Sequence, residues 1–219
     1  MASLLESKLI VVSGKGGTGK TTVACALGLL GARRGLRTVV VEFGNQHRLT
    51  ELFEHPHAKE RGVETELERD LWCSSIDPDR ALIEWLGSLG GRISARVLAA
   101  SNTFQYFAAA APGAKELVSM IKVRELCRGE RTSRQDGGYD LVVLDAPATG
   151  HALAMLRSPQ TFAAIVRVGA LAEQAQAVRE LLEEPRPVAR ARPRGRLLPP
   201  PRHPRRSPNG SRPVFWLSY

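Results

Sequence analysis

Gly14, Gly19, Lys20 and Thr21 stand at the spacing G-x-x-x-x-G-K-T inside the run Gly14-Lys15-Gly16-Gly17-Thr18-Gly19-Lys20-Thr21-Thr22. The glycines let the backbone curl so that successive N–H groups point into one concavity. A helix beginning behind that concavity adds its dipole, and the two together attract phosphate. Lys20 brings a cation to the β- and γ-phosphates of a nucleotide, and the Thr21 hydroxyl is a ligand for Mg²⁺. The spacing predicts a phosphate-binding P-loop. A second group is the apolar run Tyr139-Asp140-Leu141-Val142-Val143-Leu144, which ends in Asp145. A strand-end carboxylate in that context holds Mg²⁺ through water, facing Thr21 across the phosphates. Glu42 ends another apolar run and is placed to act on a metal or on water; its bland alternative is a solvated strand-end acid.

Chemistry of this kind needs a rigid frame, and the flanking residues supply one. A strand over 8–13 feeds the loop, a helix over 20–34 leaves it, and a strand over 37–42 follows. Gly35 stops the helix, with Arg33 and Arg34 in its last turn. Thr38-Val39-Val40-Val41 is a continuous β-branched run, the form of a strand buried on both faces of a parallel sheet. Residues 54–69 are highly charged and read as a loop or a short exposed helix. A short strand over 71–76 comes next, and Asp77-Pro78 starts a helix as N-cap and first helical residue. An irregular helical stretch over 93–111 ends at Pro112-Gly113. The helix over 114–128 has Ala114, Leu117, Val118 and Ile121 at i, i+3, i+4 and i+7. Residues 77–128 thus form a helical insert between the third strand and a fourth over 139–145. The last ordered piece reads as one long helix over 160–184.

Composition bounds the rest. The 219 residues carry a net charge of +9, but nine of the 31 Lys and Arg and none of the 22 Asp and Glu lie in 185–219. The body is neutral, so a pI near 10.1 makes no case for nucleic-acid binding by residues 1–184. No run of ~18 apolar residues suggests a membrane span, and the N-terminus lacks a signal-peptide pattern. Three scattered cysteines, Cys25, Cys73 and Cys127, form no C-x-x-C pair and read as reduced thiols of a cytoplasmic protein. Residues 185–219 hold nine prolines and nine arginines with no helical or strand period. They read as a disordered tail. That tail is either a basic binder of nucleic acid or acidic surfaces, or a frameshifted C-terminus.

Lys15, directly after the first glycine, gives the form G-K-G-G-T-G-K-T-T. This resembles the deviant Walker A of dimeric P-loop ATPases. The run Asp145-Ala146-Pro147-Ala148-Thr149-Gly150-His151-Ala152-Leu153 resembles the switch II form D-x-P-x-T-G-H-x-L. The segment Pro112-Gly113-Ala114-Lys115-Glu116-Leu117 adds to the likeness. Together they narrow the resemblance to the arsenite-pump-driving (ArsA) and tail-anchored-protein targeting ATPases. The resemblance implies Mg²⁺-dependent ATP hydrolysis coupled to a homodimer. In it Lys15 acts across the dimer and Lys20 within its own site. Gly150 offers an N–H near the γ-phosphate, and His151 either couples its movement to the helices or merely hydrogen-bonds at a helix N-terminus. It also implies a client-protein or membrane-protein partner, and Phe104, Phe107 and Met120 either line a client groove or pack as core. His47, Leu49, Thr50, Glu51 and Phe53 fit the second half of the family's switch I, but the position of its water-orienting aspartate falls on Gly44. Glu42 or Gln46 is left to take that part, or the chain is a nucleotide switch with very slow turnover or none.

The expectation is therefore an α/β P-loop fold over 1–184, with a mainly parallel sheet flanked by helices and incomplete on its C-terminal side. ATP and Mg²⁺ are its cofactors. Candidate catalytic residues are Lys15, Glu42 and Asp145; Gly14 to Thr22 and Gly150 hold the nucleotide, and Thr21 and Asp145 the metal. An incomplete sheet would leave one edge exposed.

Overall fold

The computed structural model describes residues 2–44, 48–54, 64–89, 113–128, 138–165, 170–183 and 214–218. In chain order the elements are α1 (Ala2–Leu5), β1 (Leu9–Gly14), α2 (Lys20–Ala32), β2 (Thr38–Phe43), α3 (Arg48–Leu52), β3 (Thr65–Glu68) and β4 (Leu71–Ile76). They continue with α4 (Pro78–Leu89), α5 (Ala114–Arg128), β5 (Leu141–Ala148), α6 (Thr149–Ile165), α7 (Ala170–Glu183) and β6 (Val214–Ser218). The sheet order is β3-β4-β2-β5-β1-β6. All neighbours are parallel except β3, which runs antiparallel to β4.

Side-chain parity sorts the core into two layers, because successive strand residues face opposite sides. Leu9, Val11, Val39, Val41, Val142 and Leu144 face α4, α5, α6 and α7. Ile10, Val12, Val40, Leu141 and Val143 face α1, α2 and α3. Both faces are therefore covered, which is why these strands read as unbroken apolar runs. The even-numbered side of β2 and the odd-numbered side of β5 belong to the α2 layer, so Glu42 and Asp145 point to the same face.

Register is set at the other end of the strands. The Arg37 N–H donates to Asp140 Oδ2 at 3.0 Å, and the Asp140 N–H donates to the Arg37 carbonyl at 2.7 Å. This closed pair locks β2 to β5 at their starts. Counting five residues along each strand brings Glu42 opposite Asp145. The Val142 N–H donates to the Lys8 carbonyl at 2.9 Å and does the same for β1 and β5.

Helix α2 packs unusually close to the sheet. A Cβ on Gly28 would lie 2.4 Å from Val40 Cγ2, and one on Gly31 would lie 2.7 Å from Thr38 Oγ1 and 2.8 Å from Leu141 Cδ2. These two glycines let the helix backbone lie almost on the strands, which brings its first turn down beside β1 and β5.

Several expectations need correction. Residues 65–68 form a strand within a stretch expected to be loop or helix. Thr65-Glu66-Leu67-Glu68 alternates, with Leu67 buried and the two glutamates exposed, and the glutamates guard this sheet edge. The charge of the stretch masked its period of two. The single helix expected over 160–184 is instead two helices. α6 begins at Thr149 and ends at Ile165, and α7 starts at Ala170. Leu153, Leu156 and Pro159 of α6 meet Arg179, Leu182 and Glu183 of α7 around a cavity of about 250 Å³. The N-terminal half of one helix thus lies against the C-terminal end of the other. A single straight helix could not fold back on the sheet in this way. The tail expected to lack strands supplies β6, whose Val214 to Ser218 pair with Leu9 to Ser13. The outer side of β1 is thereby paired, and among the described residues β6 is the last strand on that side of the sheet; Val214, Phe215 and Trp216 are residue types that favour strands. Helix α2 is two residues shorter than expected, and Arg33 becomes its C-cap. The helical stretch expected over 93–111, with Phe104 and Phe107, and residues 185–213 of the tail lie outside the described residues. Among the described residues no helix is long and apolar enough to cross a membrane.

Gly28→Val forces a branched side chain into the closest helix–sheet contact. Overpacking of this kind costs about 1–3 kcal/mol. Urea unfolding of the variant is expected to show a lowered midpoint with an unchanged slope; an unchanged midpoint would show that α2 does not sit on Val40.

Candidate functional site

The glycine loop leaves β1 at its C-terminal end and enters α2 through Gly19, which has φ 84° as N-cap. A residue with a Cβ is strained in that conformation. Gly16 and Gly17 are exposed, and a Cβ added to either would meet nothing within 4 Å. The surface of the loop is thus open to a ligand. The Thr18 hydroxyl and the Lys20 ammonium both donate to the Lys15 carbonyl, each at 2.9 Å. These bonds curl the loop around Lys15. The chain at Lys15 is exposed.

Thr21, on the first turn of α2, donates its hydroxyl to Asp145 Oδ2 at 2.6 Å. Close packing of α2 and the β1–β5 register make this contact between residues 124 positions apart. The other oxygen, Asp145 Oδ1, is buried with no hydrogen-bond partner among the described residues. A hydroxyl, a carboxylate and an orphaned buried oxygen make a set of hard oxygen donors. That suits Mg²⁺, which binds through one or two protein oxygens plus phosphate and water rather than through an all-protein cage. Consistently, no group of three or more His, Cys, Asp or Glu among the described residues could hold a metal by itself.

Glu42 lies beside Asp145 and is only 6 % exposed. Burial pushes its carboxyl above the ordinary range, and the Asp145 charge adds to that effect. Backbone N–H groups of Leu49 and Arg48, and the Arg48 charge, oppose the rise. Burial likewise raises Asp145, against the Thr21 hydrogen bond and the charges of Lys20 and Arg48. Glu42 is therefore engaged with the start of α3 rather than free over the loop. Arg48 is the residue that sequence reasoning passed over. In the sequence it is one arginine in a charged segment; only the reach of its charge to two buried acids singles it out.

Gly44 has φ 90° and is held against β4. Its N–H donates to the Ile76 carbonyl at 2.9 Å, and Ser75 Oγ donates to the Gly44 carbonyl. An aspartate at this position would meet no steric obstacle, but its backbone would be strained. Gln46 and His47 lie outside the described residues. Gly150 and His151 are exposed on the first turn of α6, beyond Asp145 by five and six residues. Further along α6, Pro159 cannot donate to the Met155 carbonyl. Ser158 Oγ donates to that carbonyl instead, at 2.7 Å, so the helix continues through its proline. Met120 is fully buried in the core with Leu117, Val118 and Ile121, which leaves it no part in an exposed groove.

Comparison with known proteins gives one consistent answer. The family described as anion-transporting ATPase matches residues 7–191. A putative ATPase of Mycobacterium bovis is 28% identical over 182 residues, covering 80% of this chain and 52% of that protein. A putative arsenical pump-driving ATPase of Aquifex aeolicus is 27% identical over 158 residues, 69% of this chain and 38% of its own length. The ATPase GET3 of Chaetomium globosum is 28% identical over 167 residues, 75% of this chain and 47% of its own length. The chain spans about half the length of the relatives it matches, or less.

All three cysteines are buried, and burial is the largest cause that pushes each thiol up to about 12. At pH 8 almost none is thiolate, the reactive form. Titration with a disulfide reagent is expected to label the folded protein far more slowly than the denatured protein, which exposes three thiols. Fast labelling of even one thiol under native conditions contradicts this packing.

Proposed function

The chain belongs to the anion-transporting ATPase family, and from that premise we propose that it binds ATP with Mg²⁺ and hydrolyses it, coupling nucleotide state to the conformation of a homodimer. One observation carries the reading: the P-loop threonine and the strand-end aspartate meet at 2.6 Å, beside an open glycine loop. Phosphoryl transfer calls for positioning and neutralisation of charge rather than covalent chemistry. Gly14 to Thr22 cradle the phosphates by backbone N–H groups, with the Lys20 ammonium in the same site. Thr21 and Asp145 would hold the metal, which would supply positive charge to neutralise the phosphates. Lys15, exposed on the loop, acts on the nucleotide of the partner subunit. Gly150, on the first turn of α6, faces the terminal phosphate and passes its presence along the helix. Client proteins or a membrane partner, and a cytoplasmic location, belong to the same reading; a putative arsenical pump-driving ATPase stands among the relatives. The ATPase body takes in residues 1–184 and also β6, whose residues 214–218 pair with β1.

A second reading has its own support. Gly44 stands where the family's water-orienting carboxylate is expected, and its φ of 90° favours glycine there. Glu42 could serve in its place only by leaving the N–H groups of Arg48 and Leu49. A nucleotide-binding switch with very slow turnover fits these facts.

Binding and single-turnover assays separate the two. Lys20→Ala is expected to weaken ATP binding at least tenfold, because it removes the charge-assisted phosphate contact, worth about 1.5–3 kcal/mol. Lys15→Arg is expected to leave binding within a few fold and abolish hydrolysis. Hydrolysis well above background in the unaltered chain, lost in Lys15→Arg, rules out the switch without turnover. Tight ATP binding with background hydrolysis rules out the enzyme.

A further inference from the structure

Arg48 opens α3 and is exposed. Its position is nevertheless firmly held. The buried Glu42 carboxylate accepts the N–H groups of Arg48 and Leu49. Leu49, 1% exposed, anchors the helix in the core layer that contains Ala24 and Cys25 of α2. Glu42 in turn lies opposite Asp145, on a strand roughly 4.8 Å away. The Arg48 guanidinium lies near enough to both acids for its charge to hold their carboxyls down against burial. Among the described residues it is committed to no salt bridge.

The strand order gives this cation a direction. Across the sheet, β1 carries the glycine loop, β5 carries Asp145, and β2 leads to α3. Arg48 therefore stands on the far side of Asp145 from the loop. A phosphate chain cradled over the end of β1, with a metal held by Thr21 and Asp145, would present its terminal group toward α3. A guanidinium suits that group, since its planar fork pairs with two phosphate oxygens at once. Lys20 already serves the loop side, and Arg48 would complete the charge on the other.

Resting on the reading of this site as an ATP site, we propose that Arg48 is a binding residue for the terminal phosphate, acting within its own subunit and making the site prefer triphosphate to diphosphate. Glu42 is then a positioning residue that holds α3, and with it Arg48, beside the metal site.

Calorimetric titration of the full chain with Mg·ADP and with Mg·ATPγS tests this. Arg48→Ala is expected to weaken ATPγS binding tenfold or more and to leave ADP binding within twofold. Arg48→Lys, which keeps the charge but not the fork, is expected to recover only part of the loss. Glu42→Gln is expected to give a smaller loss of the same selective kind. Thermal unfolding of each variant checks that the fold is kept; should Arg48→Ala fail to fold, Arg48→Gln is read in its place. Equal weakening of both nucleotides, or no weakening of either, overturns the proposal and leaves the ATP site standing. Failure of the unaltered chain to bind either nucleotide overturns both.

Discussion

The pairing of β1 with β5 is the constraint on which the rest of the site depends. It sets Val12 beside Asp145 and Gly14 beside Ala148. The strand that opens into the glycine loop and the strand that ends in the acid therefore finish at the same level. A slip of one residue would turn Asp145 to the opposite face. The carboxylate would then point among the apolar side chains of α5 and α6, away from Thr21. The backbone bond from Val142 to Lys8 and the closed pair of Arg37 and Asp140 hold the register at the far end of the sheet, well away from any ligand.

Helix α2 turns that register into a site. Its approach to β2 and β5 through Gly28 and Gly31 brings Thr21 within hydrogen-bond distance of Asp145. The same closeness buries acids on the α2 face and raises the carboxyls of Glu42 and Asp145. Two buried acids side by side are unfavourable unless cations or donors lie near. Lys20, Arg48, Thr21 and the first N–H groups of α3 meet that need, and Lys20, Thr21 and Arg48 are also the groups of the proposed nucleotide site. The electrostatics of the empty fold and those of ligand binding thus arise from one arrangement.

The segment after β2 shows how a single backbone feature alters this arrangement. Gly44 turns with a positive φ and is tied to β4 through Ser75 and Ile76. That turn sends the chain toward α3, whose start closes on Glu42. The family's carboxylate is missing at the turn, while a guanidinium enters four residues later. On the proposed reading of the site, charge on the α3 side is thereby shifted from negative to positive, which would favour binding over the orienting of water.

Much of this was legible in the amino-acid sequence. Spacing alone identified the glycine loop, because few other uses combine Gly14, Gly19, Lys20 and Thr21 between an apolar strand and a helix. Continuous apolar runs identified β1, β2, β4 and β5, because burial on both faces leaves no alternation to obscure them. Asp77 acts as the N-cap of α4, accepting N–H bonds from Asp79 and Arg80 as its residue type implied. Where charge hid the period, as in β3, or where helices turned back on themselves, as at α6 and α7, local pattern misled. The pairing of β6 with β1 also lay beyond the pattern, since five strand-forming residues after a Pro- and Arg-rich stretch name no partner. The sequence by itself determined which groups could bind phosphate and metal, because that depends on residue type and short spacing. Only the tertiary structure decided that Glu42 serves α3 and that Arg48 stands near Asp145: the first follows from the packing of Leu49 into the core, the second from the strand order and register that bring β2 beside β5.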